Sequence, residues 1–369
     1  MQAPTTNNAD IDFFKTELKK YKDLIDTDIA RYSKQVQKGS LEHYGAYSRL
    51  ATDAYLDILS RGGKRIRGSL VQVGYELAGG KNKQMIIEAA RAVEMMHAYI
   101  LIIDDINDRS PIRRGGPTAH IKLADYHQKQ SWADESLHFG ESIAMNAALV
   151  GAHSAQMILA NLDVDPDLRL KALSTINHGI IVTAHGQFND MFNEVTGDVT
   201  INEVLNVMEW KTAHYTFLNP LTFGMVLAGA GCEMTDAIRD YSLNAGKAFQ
   251  VSDDILGTFG VEFESGKSPL DDIKEGKRTL LTMYALEHAS RADKNFLIQM
   301  LGNHKLTPSQ FNRCKDILIE TGSLEYAQQC SDQFVDAAIK SLNQHANLFE
   351  GKGVDFLRGL ALYLTKRKS

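Results

Sequence analysis

The sequence predicts an all-α protein, and three observations carry that prediction. Only seven prolines interrupt 369 residues, and proline breaks helices because it fixes φ and lacks an N–H. Apolar residues recur every three or four positions along much of the chain. The alternating runs that mark strands are missing, as are Asn-Gly or Asp-Gly turns between such runs.

The elements follow in order. Phe14, Leu18, Tyr21, Ile25, Ile29 and Tyr32 step at helical spacing with lysines between them, so residues 1–40 read as an amphipathic helical extension. A polar stretch, Lys38 to Glu42, separates it from a second helix through Tyr47, Leu50, Ala54 and Ile58. Gly62 and Gly63 end that helix. Met85 to Ile103 reads as one long, apolar, central helix. Two uncharged runs invite comparison with membrane spans. Ser142 to Leu162 carries Asn146, His153, Ser154, Gln156 and Asn161, and Tyr215 to Cys232 carries Asn219, Pro220 and three glycines. Both read as buried helices, and no membrane span is expected. No repeat of 20–50 residues is found. The expectation is a series of roughly ten or more helices in one all-α domain over residues 41–369, with two stacked α domains as the alternative.

Composition excludes several classes. At 44% hydrophobic and 23% charged residues, the chain is neither disordered, collagenous nor a disulfide scaffold. A net charge of −6 argues against nucleic acid as a partner, since that affinity comes from basic surfaces. Cys232, Cys314 and Cys330 are widely spaced, so a reducing cytoplasm is expected. Met1 to Asp12 lacks the basic and apolar regions of a signal peptide.

The chemistry begins at Asp104-Asp105-Ile106-Asn107-Asp108, which closes the central apolar helix. Asp104 and Asp108 stand at i, i+4, so their carboxylates share a face and repel. A helix C-terminus is the wrong end for anions, so the cluster reads either as a solvated acidic helix end or as a site bridged by a cation, and the apolar run Tyr99 to Ile103 ahead of it favours the cation. Oxygen-only ligands point to Mg²⁺, which also binds substrate phosphates. Asp253-Asp254 ends a second apolar stretch in the same way. Basic clusters accompany both: Lys64 to Arg67, with Lys64 and Arg67 at i, i+3 on one helix face; Arg113-Arg114; Lys267; and Lys277-Arg278. Each alone reads as a solvated face. Together with the acids they fit a site for diphosphates.

These residues resemble the trans-isoprenyl diphosphate synthases, the polyprenyl synthetase family. The pieces GGKRIR, MMHAYILIIDDINDRSPIRRGGPT, GQFND, KTAHYTF, FQVSDDILG and DIKEGKRTLL occur in order from about Gly62 to Leu281. The resemblance implies one all-α bundle around a deep cavity, a homodimer, and three Mg²⁺ per active site. Its substrates would be isopentenyl diphosphate and an allylic diphosphate. Carried over by motif, Lys64, Arg67, His97 and Arg114 would bind isopentenyl diphosphate. Arg113, Lys211, Thr212, Gln250, Lys267 and Lys277 would bind the allylic diphosphate. Asp104, Asp108 and Asp253 would be the main metal ligands, with Asp105, Asp254 and Asp190 supporting them, and Gln187, Phe249 and Tyr215 match pocket positions. Without the resemblance, His97, Tyr215 and Phe249 read as core residues.

The sequence departs from the family pattern at Gly257, where many members carry a third aspartate, and over Ile121 to Glu141. The basic end Lys366-Arg367-Lys368 is like the tails that close over the isopentenyl site in some members. Tyr99 lies five residues before Asp104, about 7.5 Å up a helix at ~1.5 Å per residue, and is the first bulky floor for a growing chain. Ile100 stands beside it and Met96 about one turn deeper. A geranylgeranyl product is favoured, then farnesyl. A class I terpene cyclase and a non-catalytic subunit of a heteromeric synthase are the competing readings. Lys64, Arg67 and the Arg113-Arg114 pair argue against the cyclase, which has no isopentenyl site.

Overall fold

The computed structural model describes residues 6–260 and 270–366. It is 82% helical, which bears out the all-α expectation. Among the described residues the sole strands are Ile112–Arg113 and Gly116–Pro117, paired antiparallel. This tight hairpin was not foreseen, because two residues per strand are too few to alternate visibly. Pro4, Lys267, Pro269, Arg367 and Lys368 lie outside the described residues.

The chain begins with α1 (Thr6–Ser60) and continues through α2 (Ile66–Leu77) and α3 (Lys83–Asn107). Beyond the hairpin come α4 (Ala119–Lys129), α5 (Ser136–Ala160) and α6 (Pro166–Thr196). A short α7 (Ile201–Val207) leads into a π-helix over Met208–Leu218, then α8 (Asn219–Leu227), α9 (Cys232–Ala237) and α10 (Arg239–Phe259). Shorter helices follow, and Ser323–Gln344 and Gly353–Lys366 close the bundle.

The break expected over Lys38 to Glu42 falls elsewhere. Lys38 and Glu42 pair at i, i+4 across 3.8 Å on a continuous helix, so polarity there marks an exposed face rather than a stop. The helix interrupts instead at Gly45, whose φ of 82° is a conformation that glycine adopts without steric cost. The N-terminal part of α1 packs into the bundle. Phe14 is buried against the rings of Phe356 and Tyr363, at 5.1 and 5.4 Å.

Helix α3 is buried along most of its length, as its apolar run predicts. It sits in the largest apolar cluster with residues of α1, α5 and α8. Helix α5 differs from the reading of its sequence. An 18-residue window has mean hydropathy 1.3, enough by length and composition to cross a membrane, and only 33% of that window is buried. Its inner face nevertheless packs on α1, α3, α4 and α6, the contacts of a bundle helix. Its outer face leaves Met145, Leu149 and Met157 exposed.

The π-helix is held between α6 and α10 by two close approaches. A Cβ on Gly186 would lie 2.5 Å from the Lys211 backbone nitrogen, and one on Gly246 would lie 2.3 Å from Ala213 Cα. Neither distance is possible for a real side chain. Gly246→Val should therefore push the helices apart, costing about 1–3 kcal/mol as overpacking does. Chemical denaturation should show the lower midpoint, and turnover should fall with it because Lys211 and Thr212 ride on the displaced segment.

Candidate active site

Two cavities meet at the end of α3. One, of about 350 Å³, is polar and lined by Asp104, Arg113, Asp190, Lys211, Asp253 and Lys277 among others. The second, of about 310 Å³, is largely apolar and lined by Tyr99, Ile100, Ile103, Gln187, Phe188 and Tyr215 among others. They share Asp104, Lys211 and Thr212. A charged headgroup and an apolar tail would thus find adjoining chambers.

The acidic side is built from α3, α6 and α10. Asp104 stands in the last turn of α3, and Asp108 caps it, its N–H donating to the Asp104 carbonyl at 2.8 Å. Asp105 points inward and is fully buried. It accepts from Arg113 Nε at 2.7 Å, while Arg113 Nη2 reaches Asp104 at 3.3 Å. Burial opposes the Arg113 charge, but the Asp105, Asp104 and Asp108 carboxylates outweigh it and hold its pKa above the usual value. Asp253 lines the polar cavity, and Asp254 lies behind it, accepting from Gln250 at 2.7 Å. Gln250 in turn accepts from Thr212 Oγ1 at 2.5 Å. Phe249 packs edge-on to Phe217 at 5.8 Å.

Cations from two further segments complete the chamber. Lys211 donates to Asp190 at 2.6 Å. Lys277 lies 3.5 Å from Asp108 and 3.4 Å from Asp272. Burial works against both ammonium charges, yet the surrounding carboxylates keep each pKa above its usual value.

The donor set fits Mg²⁺. The acidic groups lining the cavity, Asp104, Asp190, Asp253, Asp254 and Asp272, are oxygen donors and outnumber the Arg113, Lys211, Lys277 and Arg278 cations there. Burial and the neighbouring Asp272 and Asp253 push the Asp254 carboxyl well above its ordinary pKa. Burial and Asp190 raise Glu194 to about 8. Carboxylates crowded to that degree favour a divalent cation between them. Among the described residues no three side chains already converge at metal-ligand distance.

The opposite wall is cationic. Arg67 donates to Thr216 at 2.7 Å and stacks 4.2 Å from the Tyr215 ring centroid. It also lies 3.2 Å from His97 Nε2, and His97 Nδ1 lies 3.0 Å from the Tyr215 hydroxyl. Burial, then the Arg67 and Arg114 charges, hold His97 well below its ordinary pKa. Burial and Arg65 pull Arg114 down to about 10. A wall so rich in positive charge is poised for an anion. Arg114 donates to the Gly62 carbonyl at 2.7 Å, and a Cβ on Gly63 would lie 2.8 Å from its guanidinium. Gly63, at φ 103°, is therefore required by its conformation, and a side chain there would also push the Arg114 guanidinium aside.

One spacing argument needs correction. Lys64 and Arg67 do not share a helix face, because α2 starts at Ile66 and Arg65 adopts a left-handed conformation ahead of it. Lys64 belongs to the loop, with its ammonium 5.5 Å from the Tyr363 ring centroid. The Gly62-Gly63 pair delays the helix start, which periodicity alone cannot detect.

Arg65 shapes this wall without facing it. It is buried, donating to Asp26 at 2.8 Å, Glu94 at 3.2 Å and the Leu59 carbonyl at 2.7 Å. Glu94 also accepts from the Gly68 N–H at 2.9 Å. Glu94→Ala leaves a buried guanidinium short of a partner, and stability should fall by about 3–5 kcal/mol. Urea unfolding monitored by circular dichroism measures it.

Sequence reasoning missed Arg65, Thr216, Glu194 and Asp272. Asp272 stood in plain view in DIKEGKRTLL; Glu194 carries no motif at all. Of the chain-length residues, Tyr99 and Ile100 line the apolar chamber, whereas Met96 is buried in the core behind it.

Fold and site together define an all-α isoprenoid synthase. More particularly, the chain belongs to the polyprenyl synthetase family, whose sequence model matches residues 48–318. It is 33% identical to the geranylgeranyl diphosphate synthase of Saccharolobus solfataricus over 79% of this chain and 83% of that one. It is 29% identical to the geranylfarnesyl diphosphate synthase of Aeropyrum pernix over 85% of this chain and 93% of the other. Among solved structures, geranylgeranyl pyrophosphate synthase from Corynebacterium glutamicum, complexed with isoprenyl diphosphate and magnesium, superposes with a TM-score of 0.89. That match has 28% identity and covers 95% of this chain and 99% of that one.

Proposed function

We propose that this chain condenses isopentenyl diphosphate head-to-tail with an allylic diphosphate, giving a short trans-prenyl diphosphate and releasing diphosphate. Geranylgeranyl is the favoured product, farnesyl the next. The observation that carries the reading is the junction of the polar and apolar cavities at Asp104, Lys211 and Thr212.

Asp104, Asp108 and Asp253 hold the metal in this proposal, three Mg²⁺ per site, with Asp105 and Asp254 supporting from behind. Bound Mg²⁺ supplies neutralising charge for a diphosphate leaving group. Arg113, Lys211, Lys267 and Lys277 add direct contacts to that group. The Thr212–Gln250 pair presents oxygen dipoles toward the allylic carbon as positive charge develops. Lys64, Arg67, His97 and Arg114 fix the second substrate so that its double bond faces that carbon, and this positioning supplies a large share of the rate. The proton lost at the end goes to the released diphosphate, so no side chain need act as the base. The apolar chamber lined by Tyr99, Ile100 and Phe188 takes the growing chain and excludes water.

The working unit is proposed as a homodimer. Ile181, Phe192 and Val195 on α6 are exposed, as are Met145, Leu149 and Met157 on α5, and a second copy would cover them. Sedimentation velocity tests the dimer. Residues 1–40 are proposed as an extension of a catalytic domain spanning 41–369. A cytoplasmic setting suits three free cysteines.

The test is radiolabelled isopentenyl diphosphate with each allylic primer and Mg²⁺, with the products sized. Incorporation into a C15 or C20 chain is expected. No incorporation with any primer would favour the non-catalytic subunit, and hydrocarbon released from an allylic diphosphate alone would favour the cyclase.

A further inference from the structure

The second acidic motif ends Asp253-Asp254-Ile255-Leu256-Gly257, one carboxylate short of the three in Asp104-Asp105-Ile106-Asn107-Asp108. The space beside Gly257 is nevertheless filled by a carboxylate. A Cβ placed on Gly257 would lie 2.6 Å from Oδ2 of Asp272, which belongs to the short helix Asp271–Glu275. Asp272 lines the same polar cavity as Asp104, Asp190 and Asp253. The Lys277 ammonium sits between Asp272 and Asp108, 3.4 and 3.5 Å away. An ammonium thus already bridges a carboxylate of the first motif and the one at Gly257.

We propose that Asp272 supplies, from a different helix, the third carboxylate of the second metal-facing cluster. Gly257 leaves room for that arrangement, because a side chain there would push the Asp272 carboxylate out of its place. The proposal rests on the Mg²⁺-dependent reading above. Its physical basis is that a hard cation responds to the position of an oxygen, not to the helix that delivers it.

The test uses full-length protein and Mg²⁺ with inorganic diphosphate as the probe. Calorimetric titration measures binding, and thermal unfolding with and without the probe gives a second readout independent of catalysis. Asp272→Asn keeps the side-chain shape and removes the charge, and should weaken Mg²⁺-dependent diphosphate binding about 10–100-fold, as loss of a metal site's supporting carboxylate does. Asp272→Ser serves as the second removal variant, and circular dichroism checks that each is folded. Gly257→Asp alone should lower the unfolding temperature by forcing two carboxylates into one space. Gly257→Asp combined with Asp272→Ser, which clears the space beside position 257, should recover most of the binding that Asp272→Ser loses. Unchanged binding in both removal variants would overturn the proposal, as would a double variant no better than Asp272→Ser. If the wild-type protein bound diphosphate without regard to Mg²⁺, the functional reading itself would fall, and this proposal with it.

Discussion

Asp104→Asn is expected to lower kcat by about 10²–10³-fold, the usual cost of removing one preorganised charge from a transition-state site. The substitution keeps the shape of the side chain and its reach to Arg113, so folding should be unaffected. What disappears is a negative charge at the junction of the two chambers, where a metal and the breaking C–O bond would meet. The KM for isopentenyl diphosphate should change little, because Lys64, Arg67, His97 and Arg114 occupy a separate wall. Steady-state kinetics over a range of Mg²⁺ concentrations checks both parts. The deficit should shrink as Mg²⁺ rises if the lost interaction is with the metal. Turnover equal to wild type would remove the first acidic motif from the mechanism.

Tyr99→Ala is expected to lengthen the product by at least one isoprenoid unit. The Tyr99 ring lines the apolar chamber and packs against the core cluster centred on α3. Burial raises its hydroxyl pKa to about 12, so it stands in the chamber as a neutral wall across the working pH range. Truncation opens the chamber toward Met96, about 4.5 Å further along the helix at ~1.5 Å per residue. Met96 is fully buried and would become the next floor. Chromatography of the dephosphorylated products reads the shift directly. An unchanged distribution would mean that the chain grows in another direction, along Phe188 and Met191 toward α6.

Much of the site was legible because its residues come in short, ordered runs. Asp104 to Asp108, Arg113-Arg114, Lys211-Thr212 and Gln250 to Asp254 each lie within one turn of a helix or one loop. Spacing alone therefore places their side chains together. His97 and Tyr215 needed the family resemblance, since a histidine or tyrosine on an apolar helix usually belongs to the core. Here they do pack inward, and they meet Arg67 there. Asp272 was not legible at all as a partner of Gly257. Nothing local says that a carboxylate from one helix will fill the space beside a glycine on another.

The charge balance shows the same division. A net charge of −6 suggests that anionic substrates would be repelled. The fold instead gathers Asp104, Asp190, Asp253 and Asp272 in one chamber, interleaved with Arg113, Lys211 and Lys277, and leaves the acids there for a cation absent from the residue count. Proline scarcity and a 3.6-residue period were enough to read the all-α class, though not each helix boundary, and residues close along the chain were enough to read the motif chemistry. Tertiary structure alone decided where Lys64 sits, how Arg65 ties Asp26 to Glu94, and which carboxylate stands beside Gly257. The reason is physical: periodicity reports which face of a helix is apolar, whereas contacts between segments far apart in the chain depend on how closely the backbones approach. Those approaches are set by packing at positions such as Gly186 and Gly246, where the sequence records only the absence of a side chain.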